Sequence, residues 1–316
     1  VSTLLVCSVG GHLAELHALL PGIADLDEER LWVTFDTPQS RSLLAGEQTV
    51  FVEHSGPRDL PTVLRNTGRA NSLLRAHSFT HAISTGSGIA LSFLPLAAAR
   101  GARCHYIESF TRSSGPSLTG RLLSGLPGMR LYTQHPSWAR GRWQHRGSVL
   151  DAFEPAASAP ALVEPRRVVV TLGTMKDYAF PRLVERLHPL LPDGAEVLWQ
   201  LGCTETPPGL PIEGRHSLPA EELRRAISRA DLVVAHAGCG SALAAMEAGR
   251  KALLVPRRAA RGENVDDHQV ELAFELTRRG LAVVREIEEL DGGALLEAAA
   301  GRVLRRPAPP PFRLAG

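Results

Sequence analysis

Four short segments combine residue types that handle anions and protons. The first is Ser8-Val9-Gly10-Gly11-His12, where two glycines and a histidine join an apolar run to an amphipathic one. Glycines there let backbone N–H groups close on an anion, and a helix start adds a partial positive charge. Gly10 and Gly11 suit a diphosphate, and His12 suits a general base that takes a hydroxyl proton. A tight turn with a surface histidine is an equal reading of these five residues. The spacing is not G-x-G-x-x-G, which argues against a nicotinamide dinucleotide.

The second segment is Ser84-Thr85-Gly86-Ser87-Gly88, another strand-to-helix turn, with His105–Arg112 following one element later. Ser87, Gly88 and Arg112 join Gly10 and Gly11 as the candidate acceptor contacts. Glu108, at a strand end, is the rival base; paired with Arg112 it would instead only shape the loop. The third, Ala235-His236-Ala237-Gly238-Cys239-Gly240-Ser241, is a strand, a glycine turn and a helix start. Helix N–H groups at such a point hold a pyrophosphate, and charge developing on a leaving diphosphate is stabilised there without metal. The plain alternative is a helix start with a core histidine. The fourth runs from Pro256 to Gln269. Arg257 and Arg258 present forked donors to phosphate or to a uronate carboxylate. Asp267 and Gln269 suit sugar hydroxyls, although Asp267 could equally cap its helix. Asp266-Asp267 is not D-x-D, and no bound metal is inferred.

These residues need elements to hold them. Short β-branched runs alternate with helical ones: strands at 3–9, 31–35, 50–53, 81–84, 104–108 and 130–133, with helices at 12–23, 60–76 and 88–99. This rhythm predicts a parallel sheet covered on both faces. It breaks at 153–166, where three prolines suggest a semi-rigid linker, and restarts with strands at 167–172, 196–201, 232–235 and 252–255. Helices are expected at 181–191, 221–229, 241–248 and 267–279. The organisation expected is residues 1–152 as one Rossmann-like domain, 153–166 as linker, 167–306 as a second, and 307–316 as a loose tail. Two doubly wound α/β domains place their glycine turns at the strand carboxyl ends, facing an interdomain cleft.

The bulk properties agree. With 316 residues, 44% hydrophobic and 22% charged, the chain suits two globular cores. A net charge of +2 gives no global field for nucleic acid. Cys7, Cys104, Cys203 and Cys239 are too scattered for a zinc or redox pair, and all four are expected reduced. A strand pattern from residue 2 leaves no signal peptide, and the longest apolar run, Ile89–Ala99, is too short to cross a bilayer. The expected location is the cytoplasm, with peripheral contact at the inner face of the cell membrane.

Taken together, the motifs resemble a fused form of two-part glycosyltransferases, one part binding a lipid-linked acceptor and the other a UDP-sugar. S-V-G-G-H at Ser8, S-T-G-S-G at Ser84, I-E-S-F-T-R at Ile107 and P-S-L-T-G-R-L-L at Pro116 carry the acceptor half. V-T-L-G-T at Val170, H-A-G-C-G-S at His236 and P-R-R with D-D-H-Q carry the catalytic half. Such pairs include bacterial exopolysaccharide enzymes and the eukaryotic dolichol-pathway N-acetylglucosaminyltransferase; the peptidoglycan lipid-intermediate N-acetylglucosaminyltransferase is a more distant likeness. The resemblance implies a GT-B fold and an inverting, metal-independent transfer from a UDP-sugar to a polyprenyl-diphosphate-linked saccharide. The UDP-sugar is a substrate, and no cofactor is implied. By position, Gly173 and Thr174 would lie near the donor phosphates and Gln200 and Gly202 near uracil. His236, Gly238, Gly240 and Ser241 would hold the diphosphate, and Asp267 and Gln269 the sugar. Ala244 stands where many relatives carry a ribose-binding glutamate, which favours the exopolysaccharide branch over the dolichol type. In place of the membrane anchor of some acceptor subunits, the region Leu118–Trp143, with Trp138, Arg140, Arg142 and Trp143, suits a lipid headgroup zone, and equally a solvated surface loop with one tryptophan tucked in.

Three other functions fit the same residues: transfer to a soluble natural product, UDP-sugar binding without turnover, and UDP-sugar epimerisation.

Overall fold

A computed structural model of the chain describes residues 2–24, 26–56, 59–157, 164–174 and 177–315. It divides into two compact units, Val1–Asp151 with Pro309–Gly316, and Ala152–Ala308.

In the first unit, the strands are β1 (Ser2–Cys7), β2 (Arg30–Phe35), β3 (Thr49–Val52), β4 (Phe79–Gly86), β5 (Arg103–Ile107), β6 (Met129–Thr133) and β7 (Trp143–His145). The helices are α1 (Gly11–Leu19), α2 (Pro38–Leu43), α3 (Leu60–Ala76), α4 (Ile89–Ala99) and α5 (Leu118–Ser124). The sheet is parallel throughout, in the order β3-β2-β1-β4-β5-β6-β7. Leu4, Val6, Val33, Ala82, Ile83, Cys104 and Leu131 are buried along it, as expected of strands covered on both faces. Helix starts are set locally: Asp59 caps α3 by accepting from Thr62 N at 3.2 Å, and Ser117 caps α5 through Gly120 N at 3.1 Å.

The second unit contains β8 (Phe153–Pro155), β9 (Arg167–Thr171), β10 (Glu196–Gln200), β11 (Gly214–Arg215), β12 (Leu232–His236), β13 (Leu253–Val255), β14 (Val283–Val284) and β15 (Val303–Arg305). Its helices are α6 (Pro181–Leu187), α7 (Ala220–Arg229), α8 (Cys239–Glu247), α9 (His268–Arg278) and α10 (Gly292–Ala300). Its main sheet has the order β11-β10-β9-β12-β13-β14. In both sheets the chain builds outward in one direction, returns to the first strand and builds the other way. That reversal, between β1 and β4 and again between β9 and β12, is the switch point at which doubly wound sheets bind ligands.

Two expectations are corrected. The 153–166 segment is not all linker: it opens with β8, which pairs antiparallel with β15, while 158–163 lie outside the described residues. The C-terminal tail is not loose. Phe312 is buried, its N–H meets the Gly22 carbonyl at 3.0 Å, and its ring stands edge-on to Tyr132. Two helices lacked an apolar period to announce them. α2 is polar and rests on a Thr37–Ser40 capping box, and α10 is an alanine-rich run capped by Asp291.

Candidate active site

In the first unit, β1 and β4 run side by side with Cys7 opposite Gly86, so the Gly10-Gly11 and Gly86-Ser87-Gly88 turns are neighbours. Gly10 takes φ 74° at the start of α1, and Gly88 precedes α4; being glycines, neither offers a capping side chain. Two helix N-termini thus open at one switch point. Ser87 has φ 72°, a conformation that costs a non-glycine residue about 1–3 kcal/mol and collects at functional sites.

His12 spans the two turns. Its Nδ1 lies 2.9 Å from the Thr85 carbonyl, and Thr85 Oγ1 donates to the His12 carbonyl at 2.8 Å. A carbonyl only accepts, so Nδ1 carries a proton in this contact, and the neutral form of the ring is then the Nδ1–H tautomer. That tautomer is the one a general base needs. Gly86 makes room for the ring: a Cβ there would stand 2.9 Å from His12 Cε1 and 3.3 Å from the Tyr106 hydroxyl.

Glu108 is placed differently. It is 1% exposed. Its Oε2 accepts from Ser117 N at 2.9 Å and Ser117 Oγ at 3.0 Å, and its Oε1 from Ser109 N at 3.3 Å. Burial holds its pKa above the usual range against the pull of these donors. The carboxylate ties the end of β5 to the start of α5. Arg112 lies in the same loop, its carbonyl accepting from Trp138 Nε1 at 2.9 Å.

Glu15, one turn beyond His12, escaped the reading of motifs. It is fully buried, accepting from Phe110 N at 2.9 Å and from the Gln134 amide. Its signal in the sequence is a charge on the apolar face of α1, three residues after His12. Of the residues read as headgroup contacts, Trp138 is tucked inward and Arg142 is exposed but hydrogen-bonded. Trp138 is buried, and Arg142 donates to the carbonyls of Ser124 and Met129. The exposed apolar side chains nearby are Leu118, Leu122 and Leu126.

In the second unit, Gly173 follows β9 with φ 75° and Gly238 precedes α8. His236 sits beneath both: a Cβ on Gly173 would fall 2.7 Å from its Cε1, and one on Gly238 2.2 Å from its Nε2. Its Nδ1 meets the Thr171 carbonyl at 3.3 Å. Burial, and then the Arg257 charge, push its pKa down to about 3. His236 is therefore a neutral ring that shapes the turn and presents an acceptor at Nε2, while the donors here are the N–H groups opening α8. Gly240 and Ser241 lie in that first turn. A Cβ on Gly202 would come within 2.6 Å of the Gly173 carbonyl, so the turns after β9 and β10 touch. Gln200 is buried and accepts from Thr171 Oγ1 at 2.6 Å. Thr174 is exposed.

The fourth segment separates into distinct roles. Arg258 forms a two-pronged pair with Glu286, at 3.1 and 2.5 Å. Arg257 is buried, its backbone N–H on Gln269 Oε1 at 3.0 Å and its Nη2 on the Leu172 carbonyl at 2.9 Å. Asp267 does not cap α9; its Oδ1 accepts from Ala259 N at 3.0 Å. Glu247, a turn beyond Ala244, is exposed. All four cysteines are free thiols. Among the described residues, no three histidine, cysteine, aspartate or glutamate side chains group as metal ligands, and no helix is long and apolar enough to cross a membrane.

Residues 167–299 match the glycosyltransferase family 28 C-terminal domain. Among curated proteins, none matches the chain by sequence. Solved structures do match its fold. Acinetobacter baumannii MurG is 18% identical with a TM-score of 0.55, over 95% of this chain and 94% of that one. The glycosyltransferase SnogD from Streptomyces nogalater is 19% identical with a TM-score of 0.56, over 94% and 92%. The spinosyn rhamnosyltransferase SpnG, complexed with thymidine diphosphate, is 16% identical with a TM-score of 0.53, over 94% and 90%. The fold is GT-B, two Rossmann-like domains of the order described. The family 28 domain match in the second half of the chain, within a GT-B fold, supports a glycosyltransferase.

Proposed function

We propose that the chain moves a sugar from a UDP-sugar onto a polyprenyl-diphosphate-linked saccharide in exopolysaccharide or other cell-surface glycan synthesis. The reaction is an inverting, metal-independent displacement. His12 Nε2 takes the proton of the attacking acceptor hydroxyl as it bonds to the anomeric carbon. The bond from that carbon to UDP breaks, and the leaving diphosphate gathers charge at the N–H groups opening α8 at Gly238, Gly240 and Ser241. Gly173 and Thr174 flank those phosphates, Gln200 and Gly202 the base, and Asp267 and Gln269 the sugar. Gly10, Gly11, Ser87, Gly88 and Arg112 receive the acceptor diphosphate.

The observation that carries this reading is the contact of His12 with Thr85 between two glycine-led helix starts, which sets a ring protonated at Nδ1 beside two helix N-termini. Lipid attachment of the acceptor is supported by exposed Leu60 and Leu64 on α3 and by Leu118, Leu122 and Leu126 along and just after α5. Both helices pack on α4, whose start is the Ser87-Gly88 turn. Five exposed leucines on or just after two helices that pack on α4 suit contact with a lipid surface, at which the protein would act peripherally from the cytoplasm.

The test is transfer from labelled UDP-sugars into bacterial lipid extracts in the presence of EDTA. Label passing into the organic phase is expected. Label remaining in a water-soluble product would overturn the lipid acceptor. Activity only with added Mn²⁺ would overturn the metal-free step, and use of TDP-sugars alone the uridine donor.

A further inference from the structure

Among the described residues, one arginine of the loop from Pro256 to Asp267 forms no salt bridge. Arg182 pairs with Glu263 and Glu288, Arg258 with Glu286 and Arg261 with Glu288. Glu263, the acid nearest Arg257 in sequence, is already committed to Arg182 Nη1 at 2.8 Å and Arg258 N at 3.0 Å. Arg257 is 1% exposed and rests on the Phe180 ring at 5.5 Å. Only its Nη2 is bonded, to the carbonyl of Leu172 just before the Gly173 turn. Among the described residues, its Nε and Nη1 are buried with no hydrogen-bond partner. Asn264, in the same loop and 4% exposed, has its amide oxygen and nitrogen both buried with no partner among the described residues.

Buried polar atoms are satisfied nine times in ten, and an unmatched charged donor is the costliest exception. Two residues of one loop leave four such atoms open, three of them hydrogen-bond donors. Together the two side chains offer donors to a small anion and an acceptor to a hydroxyl. We propose that Arg257 and Asn264 recognise an anionic group of the bound nucleotide sugar, either a phosphoryl oxygen or a carboxylate on the sugar. The inference rests on the donor site proposed at the α8 start. The four atoms lie beneath the surface, so the loop must part as the anion enters.

Calorimetric titration of the full chain with UDP, UDP-glucose and UDP-glucuronate separates the outcomes. Arg257→Met is expected to weaken binding about tenfold or more, the loss typical of a hydrogen bond to a charged group. If the anion is the sugar carboxylate, wild type prefers UDP-glucuronate and the variant loses that preference while UDP binds unchanged. If it is a phosphoryl oxygen, all three ligands weaken by one factor. Asn264→Asp, which keeps Arg257 and adds a negative charge, is expected to weaken the same ligands and serves should Arg257→Met not fold. Either folded variant binding all three ligands as wild type does overturns the inference and leaves the donor site standing. Wild type binding none of the three overturns the donor site and the inference with it.

Discussion

His12 and Thr85 hold each other across two neighbouring strand ends, ring Nδ1 to carbonyl at 2.9 Å and hydroxyl to carbonyl at 2.8 Å. The contact fixes the tautomer of the ring and the register of α1 against β4 at once. The tautomer and the position of the ring therefore depend on the same pair.

His12→Ala is expected to reduce transfer about a hundredfold or more, the usual worth of a positioned base, with UDP affinity unchanged. Glu108→Gln keeps an oxygen for Ser117 and is expected to stay within about tenfold of wild type, as for a lost neutral contact. Steady-state rates with lipid acceptor check both. Wild-type turnover in His12→Ala beside an inactive Glu108→Gln would move the base to Glu108.

Gly86→Ala places a methyl group 2.9 Å from His12 Cε1 at a residue with φ 128°. Strain and displacement together are expected to cost about 1–3 kcal/mol of stability. Turnover should fall with the His12 ring, while UDP binding remains. Full activity in a folded Gly86→Ala protein would show that the ring need not sit there.

Gly238→Ala has an ordinary backbone, φ −90°, so its whole effect is the methyl group meeting His236 Nε2 at 2.2 Å. Overpacking of this kind costs about 1–3 kcal/mol. UDP titration is expected to show at least tenfold weaker binding. An unchanged affinity would remove the α8 start from the donor site.

Stability should fall on both sides of a maximum in pH. Burial pushes Glu15 up to about 8. The folded chain keeps that proton while the unfolded chain releases it near 4.5, so the contribution is complete below that pH and is lost as the pH rises to about 8. Burial pushes His105 and His236 down to about 3. The unfolded rings protonate near 6.5 and the folded rings do not, so stability also falls as the pH drops from there. Each group contributes a slope of at most about 1.4 kcal/mol per pH unit. Urea unfolding across pH 4 to 9 measures it. Glu15→Gln should flatten the alkaline side alone; the same alkaline loss in the variant would assign it elsewhere.

By itself, the sequence determined the alternation of strand and helix, the glycine turns and the extent of α3. These depend on neighbours: apolar runs, a proline near a helix start, an aspartate cap, a glycine where φ is positive. It could not separate Arg257 from Arg258, adjacent and identical in type. One is buried against Leu172 and Phe180, the other paired with Glu286, and those partners lie far along the chain. Only the tertiary structure brought Thr85 to His12, turned Glu108 inward to Ser117 and seated Phe312 against Tyr132. The tautomer of a ring, the burial of a charge and the docking of a tail are set by groups that only folding brings within a few ångströms.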